Sequence, residues 1–192
     1  MSSTKELIIQ HSRDLFWKYG LRKVSVEEIC KVAGISKMTF YRNFKNKTEV
    51  ASLLLQDIVE ESTRKYNELM SGELSFPEKV ARMILMKQEN AKGISVEFLQ
   101  DIYTTEGPLK DMMTNFRQDF ESTINRDFTK AQEEGWIRKD MSMEFIFYML
   151  EVVNREITKD EFLALHKDPE EGIMEMTKFF FYGIIDKIKA KG

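Results

Sequence analysis

The sequence predicts an all-α protein, and three observations carry that expectation. Apolar residues recur at spacings of three and four through most of the chain, as they do on one face of a helix. The 192 residues include only three prolines and nine glycines, which favours long helices over many turns. No segment sustains the alternation of a half-buried strand, and no repeat or low-complexity tract interrupts the pattern. Hydrophobic residues make up 42% of the chain, enough for a substantial core in one domain or two small ones.

The first helix sets Leu7, Ile8, Leu15, Phe16 and Tyr19 on one side and ends at Gly20. Two short helices follow. Ser25 is placed to cap the next one, and Glu28 three residues later completes a capping box. Val26, Ile29, Val32 and Ala33 then share a face. Gly34 supplies a turn in which a left-handed backbone meets no Cβ penalty. Ser36 caps a further helix from Lys37 to about Phe44. This is helix-turn-helix geometry, in which the second helix enters a DNA major groove.

The residues of that second helix divide by role. Phe40 and Phe44 lie four apart and face the core, leaving Lys37, Met38, Thr39, Tyr41, Arg42 and Asn43 outward. Lysine, threonine, tyrosine, arginine and asparagine all donate hydrogen bonds to phosphates or base edges. Lys45 and Lys47 add positive charge where a DNA backbone would pass, and Lys47 is expected to hold a phosphate. The candidate DNA contacts are therefore Ser25, Ser36, Lys37, Met38, Thr39, Tyr41, Arg42, Asn43 and Lys47. An ordinary helical hairpin with a solvated basic face is the alternative. The capped turn, the inward aromatic pair and the outward donors together outweigh it.

Charge is divided in the same sense. Residues 1–50 hold ten bases and five acids, a net +5, while the remainder holds 19 bases and 27 acids, a net −8. The basic end can meet phosphates while the acidic body stays off the duplex.

A fourth helix begins near Lys47 and reaches about Met70, with Val50, Leu53, Leu54, Ile58 and Val59 at helical spacing. Ser71-Gly72-Glu73 breaks it. Ser75 and Glu78 form another capping box, with Pro77 in the first turn, where its missing N–H does no harm; this helix runs to about Asn90. Ser95 caps a short helix to Tyr103, and Gly107-Pro108 breaks the chain again. The seventh helix has the longest pattern, Leu109, Met112, Met113, Phe116, Phe120, Ile124, Phe128 and Ala131, and stops at Gly135. Another spans about Ser142 to Thr158. Asp168 caps the last, with Pro169 at its first position and Glu171 at its third.

The segment from Leu15 to Lys47 resembles the TetR-type transcriptional regulators. Their pattern runs Leu-Phe-x-x-x-Gly, then Ser-Val-x-x-Ile-Ala-x-x-Ala-Gly-Val-Ser, then Thr-Leu-Tyr-x-x-Phe-x-x-Lys. Here those stretches are Leu15 to Gly20, Ser25 to Ser36, and Thr39-Phe40-Tyr41-Arg42-Asn43-Phe44-Lys45-Asn46-Lys47. The resemblance covers about residues 5–55. Cys30 stands where alanine is usual, Met38 where glycine is common, and Asn43 where histidine or tyrosine is common. The resemblance implies an N-terminal three-helix DNA-binding domain, taken as residues 1–47. It joins a helical effector-binding and dimerisation domain, residues 48–192, with the fourth helix as the lever between them. It also implies a ligand-responsive repressor that binds a palindromic double-stranded DNA operator as a homodimer.

Two further features bear on partners. The last two long helices carry more apolar surface than one core needs: Phe145, Ile146, Phe147, Tyr148, Met149, Leu150, Val152, Val153 and Ile157 on one, and Ile173, Met174, Met176, Phe179, Phe180, Phe181, Tyr182, Ile184, Ile185 and Ile188 on the other. A helix apolar nearly all round is buried on more than one side, so this pair is expected to form a homodimer interface rather than the centre of a monomer. Met83, Met86, Phe98, Met112, Phe116, Trp136 and Tyr148 are candidates to line a plastic apolar pocket for a small-molecule effector, against the alternative that they are core. Glu97 and Asp101 are candidate polar anchors for a cationic ligand, against the equal alternative that both are solvated.

An enzyme is the competing class, and a protein of this shape that has lost DNA binding is a third. The two histidines, His11 and His166, lie far apart, and neither has a cysteine or second histidine nearby, so no metal site or metal cofactor is expected. Cys30 suits a small buried position better than a nucleophile. There is no glycine-rich phosphate loop and no nucleophile elbow, hence no catalytic residue and no cofactor. No apolar leader and no run of about 18 apolar residues is present. A cytoplasmic protein without a membrane partner is expected.

Overall fold

The computed structural model describes residues 3–104 and 106–186. Among these the chain forms α1 (Thr4–Tyr19), α2 (Val26–Ala33), α3 (Lys37–Asn43), α4 (Lys47–Ser71), α5 (Phe76–Ala91), α6 (Val96–Thr104), α7 (Pro108–Glu133), α8 (Met143–Glu156), α9 (Asp160–Leu163) and α10 (Pro169–Ile184). The fold is all-α. The one β feature among the described residues is an isolated antiparallel bridge between Ile137 and Ile185. The single-turn α9 is absent from the pattern reading, because four residues are too few to show a period. Ile188 lies outside the described residues.

The chain divides into two compact units that do not follow chain order. The first takes Met1–Ser62 and Gly93–Met113, so it holds α1 to α3, most of α4, α6 and the first residues of α7. Its core is built on Ile8, Phe16, Val24, Ile29, Phe40, Phe44, Val50, Leu54, Phe98 and Leu109. Each such side chain, taken out of water, contributes on the order of 1.5–3 kcal/mol before entropy is counted.

Within that unit α6 is bracketed to the end of α1. The Trp17 and Phe98 rings lie 4.6 Å apart, and the Ser95 N–H donates to the Trp17 carbonyl at 3.1 Å. Gly20, at φ 86°, lies tight against α6: a Cβ there would stand 2.8 Å from both Glu97 Cβ and Asp101 Oδ2. Glycine is required twice over, by backbone angle and by space.

The second unit is Thr63–Lys92 with Thr114–Gly192. Tyr66, Phe76, Val80, Ile124, Phe128, Ile137, Ile146 and Phe180 belong to its core. Here α10 packs against both α5 and α8. The turn after α7 is tied to the end of α10 by the Arg138 N–H donating to the Ile184 carbonyl and the Asp186 N–H donating to the Trp136 carbonyl, both at 2.9 Å. The loop after α9 folds onto α10 at Gly172, where a Cβ would come within 2.8 Å of the Phe162 ring and 3.1 Å of His166 Nδ1.

Candidate nucleic-acid interface

The turn between α2 and α3 is built by its caps. The Ser25 hydroxyl accepts the Glu28 N–H at 3.2 Å while the Glu28 carboxylate accepts the Ser25 N–H at 2.8 Å, a closed capping box. The Ser25 N–H and hydroxyl, both donating to the carboxylate, hold the Glu28 carboxyl below its ordinary pKa. Gly34 ends α2 in the left-handed region, at φ 66°. Ser36 then caps α3 by accepting the Thr39 N–H at 3.1 Å. Both serine hydroxyls are thus engaged in aiming α3.

Phe40 and Phe44 are buried beneath α3. This leaves an outward face of Lys37, Met38, Tyr41 and Arg42, with Met38 75% and Tyr41 56% exposed. Thr39 and Asn43 are half-buried, and the Asn43 amide donates to the Thr39 carbonyl at 2.8 Å. The exposed set offers one guanidinium, one phenol, one ammonium and one thioether. It suits a groove, where donors meet acceptor edges and the thioether meets a thymine methyl.

Two lysines are placed differently from a simple basic face. Lys37 forms an ion pair with Glu27 of α2, which raises the lysine and lowers the carboxyl. Lys47 donates to the Arg22 carbonyl at 2.9 Å and the Val24 carbonyl at 2.6 Å, and burial pushes its ammonium down. The expected phosphate contact by Lys47 would require the ammonium to leave these two acceptors.

The buried face of α2 also differs from the expected one. Ile29, Cys30 and Ala33 are buried, whereas Val32 is 49% exposed. Positions 26, 29, 30 and 33 form one stripe at helical spacing, and 32 falls off its edge. Cys30, buried among apolar neighbours, has its thiol pushed up by desolvation.

Sequence reasoning missed the supports behind this surface. Asp101, buried, accepts the Arg22 N–H at 2.9 Å and pairs with the Arg22 guanidinium at 3.2 Å. Arg22 also donates to the Thr104 hydroxyl at 2.8 Å, and Lys23 pairs with Glu97 at 2.7 Å. Glu97 and Asp101 are therefore engaged by the loop that leads into α2, not held for a cationic ligand. These pairs join residues 74 to 82 apart, a separation with no local signature.

The candidate effector residues do not share one unit. Phe98 and Met112 belong to the first unit's core, while Met83 and Trp136 pack in the second. In the second unit Phe116 stacks on Phe120 at 5.6 Å, Met86 is half-buried, and Tyr148 is 58% exposed.

Residues 8–54, the stretch that carries this surface, match the family model of the bacterial regulatory proteins of the tetR family. Over 99 residues, half of this chain, the sequence is 30% identical to an uncharacterised helix-turn-helix transcriptional regulator, YhgD of Bacillus subtilis; the match spans about half of that protein's length, 52%. It is 23% identical to the transcriptional repressor KstR2 of Rhodococcus jostii over 78% of this chain and 75% of that one. The fold is similar to that of the regulatory protein TetR from Rhodobacter sphaeroides, with a TM-score of 0.72 over 96% of this chain and 100% of the other, at 17% identity. No described helix is long and apolar enough to cross a membrane. The helix-turn-helix segment, residues 8–54, is thus similar to that of the tetR family of bacterial regulatory proteins, and the chain as a whole shares their fold.

Proposed function

We propose that the protein is a cytoplasmic, ligand-responsive repressor that binds a palindromic operator as a homodimer, and that it has no catalytic role. The observation that carries this is the pair of uncovered aromatic rows in the second unit. Phe145 and Tyr148 lie three apart on α8, Phe179 and Tyr182 three apart on α10, and all four are exposed, Phe179 by 69%. A row of large aromatics on each of two long helices is the composition of an interface core. One α3 reads only a half-site, so a two-fold pair of chains reads a palindrome, with half-sites about one helical turn or a multiple of it apart.

On this reading Lys37, Met38, Thr39, Tyr41, Arg42 and Asn43 meet the groove, while Ser25, Ser36 and Lys47 hold α2 and α3 in position beside the backbone. The effector site lies in the second unit around Met83, Met86, Phe116 and Trp136. Phe98 and Met112 serve the core of the first unit, and Tyr148 serves the dimer. The similarity to KstR2 of Rhodococcus jostii, a named repressor, supports repression rather than activation. A ligand shifts operator affinity only by preferring one state of the dimer over another.

Selection from random-sequence DNA, followed by mobility shift, tests the reading: enrichment of a palindrome is expected, and enrichment of single half-sites would count against it. The double variant F179E/Y182E should dissociate the dimer. A two-fold dimer loses each anchor twice, so four anchors at about 2 kcal/mol each weaken self-association by roughly 10⁵–10⁶-fold. Sedimentation showing an unchanged dimer would remove α10 from the interface.

A further inference from the structure

Glu27 is used differently from the acids around it. Glu6 and Glu28 close the capping boxes of α1 and α2, and Glu49 accepts the Lys45 N–H at 2.7 Å. Those carboxylates serve nearby backbone. Glu27, the second residue of α2, instead reaches across the turn and pairs with the ammonium of Lys37, the first residue of α3. The contact joins two elements of one unit and falls on a candidate base-reading side chain.

The carboxylate is held from two sides. The hydrogen bond from Lys37 and, after it, the one from the Glu27 backbone N–H keep its carboxyl below the ordinary pKa. That N–H is one of the donors that the first turn of a helix leaves unpaired, so the carboxylate is fixed to α2 before it meets the lysine. Lys37 stands at the end of α3 whose residues meet base edges when a recognition helix enters the groove, and both side chains are exposed. An ammonium carries three donors, so with one on Glu27 two remain. Guanine accepts two in the major groove, at N7 and O6, whereas adenine sets an amino donor beside its one acceptor. From the distance of a phosphate the pair has no net charge. It therefore lacks the sequence-independent attraction that a free lysine gains from counterion release.

We propose that Glu27 is a specificity residue of the DNA-reading surface: it positions Lys37 as a reader of guanine and cancels the charge that would bind any duplex. This rests on the reading that α3 enters a major groove, and names the base that one of its side chains takes.

Selection from random-sequence DNA with the full chain, followed by binding over a range of salt to the selected operator and to an unrelated duplex, tests it in the wild type, E27Q and E27Q/K37M. The wild type should enrich a guanine in each half-site, and the double variant should lose that preference while keeping the others. E27Q frees one charge per protomer, so its log–log salt slope on the unrelated duplex should steepen by about 1.8 and its affinity there should rise roughly tenfold or more near 0.1 M salt. Its preference for operator over unrelated duplex should fall. The double variant removes a neutral pair, so its slope on the unrelated duplex should match the wild type. A wild-type slope in E27Q, or a slope shallower by about 1.8 in the double variant, would overturn the cancelled charge. A guanine preference that survives in the double variant would overturn the reader. No enriched sequence from the wild type would overturn the groove reading itself, and this proposal with it.

Discussion

In the first unit, helices of eight and seven residues form the candidate DNA-reading surface, and the polar side chains around them are bonded to backbone: Ser25, Glu28, Ser36, Asn43, Lys47 and Asp101 each meet an N–H or a carbonyl. In the second, α8 and α10 run 14 and 16 residues and leave four large aromatics uncovered. The difference follows from length. A helix shorter than about 12–15 residues is marginal alone, so α2 and α3 depend on brackets that also fix where they point. Longer helices stand on packed area and can present a surplus of it to another chain.

The strongest way to break this comparison is to remove one polar support from each unit. Asp101→Ala strips a buried carboxylate from the Arg22 N–H and guanidinium and should cost about 3 kcal/mol. Tyr66→Phe removes a hydroxyl that donates to Asp127 at 3.1 Å and should cost about 1 kcal/mol. Denaturant unfolding measures both, and equal losses would end the distinction. Burial, and after it the proximity of Asp127, push the Tyr66 phenol far above its ordinary range.

A smaller effect sharpens the first unit's own division of labour. Arg42→Ala should lower the log–log salt slope of operator binding by about 1.8, since a dimer loses two phosphate-range charges at roughly 0.9 each. Lys47→Met should leave that slope unchanged while lowering the melting temperature, because its ammonium is occupied by the Arg22 and Val24 carbonyls. A drop of about 1.8 in the Lys47 variant would return it to the phosphate contacts.

The smallest effect belongs to the second unit. His166 Nδ1 faces the Phe162 carbonyl at 2.9 Å and Nε2 faces Glu175 at 2.8 Å. Burial disfavours the charged ring, but the Glu175 carboxylate and that carbonyl together lift its pKa above the ordinary 6.5. The folded state therefore holds the proton more tightly. The latch contributes fully below about pH 6.5 and is lost as pH rises through the raised folded value. Stability measured from pH 6 to 9 should fall less steeply in His166→Gln than in the wild type; parallel curves would assign the latch to packing alone.

The caps and breaks of this fold were legible because they are local. Ser25 with Glu28, Gly34, Ser36, Pro77 and Asp168 each act within four residues, and the helices begin and end beside them. The inward Phe40 and Phe44 were readable from spacing alone. The exposure of Val32 was also available there, since it lies outside the stripe that Cys30 completes. The engagement of Lys37 by Glu27, of Lys47 by two carbonyls and of Glu97 and Asp101 by the loop at Arg22 was not. Each depends on where separate elements meet, and a charge in a sequence does not say whether a partner has already claimed it.

The closeness of Gly20 to Glu97 and Asp101 has a consequence for synthesis. The loop entering α2 cannot reach its native contacts until Thr104, more than 80 residues further on, has left the ribosome. At about 5–20 residues per second that is a wait of roughly 4–16 s. The first unit is therefore finished late although it is begun first. An N-terminal fragment ending after α3 lacks the α6 half of its own support, so the nascent DNA-reading surface is assembled only once part of the following chain exists to hold it.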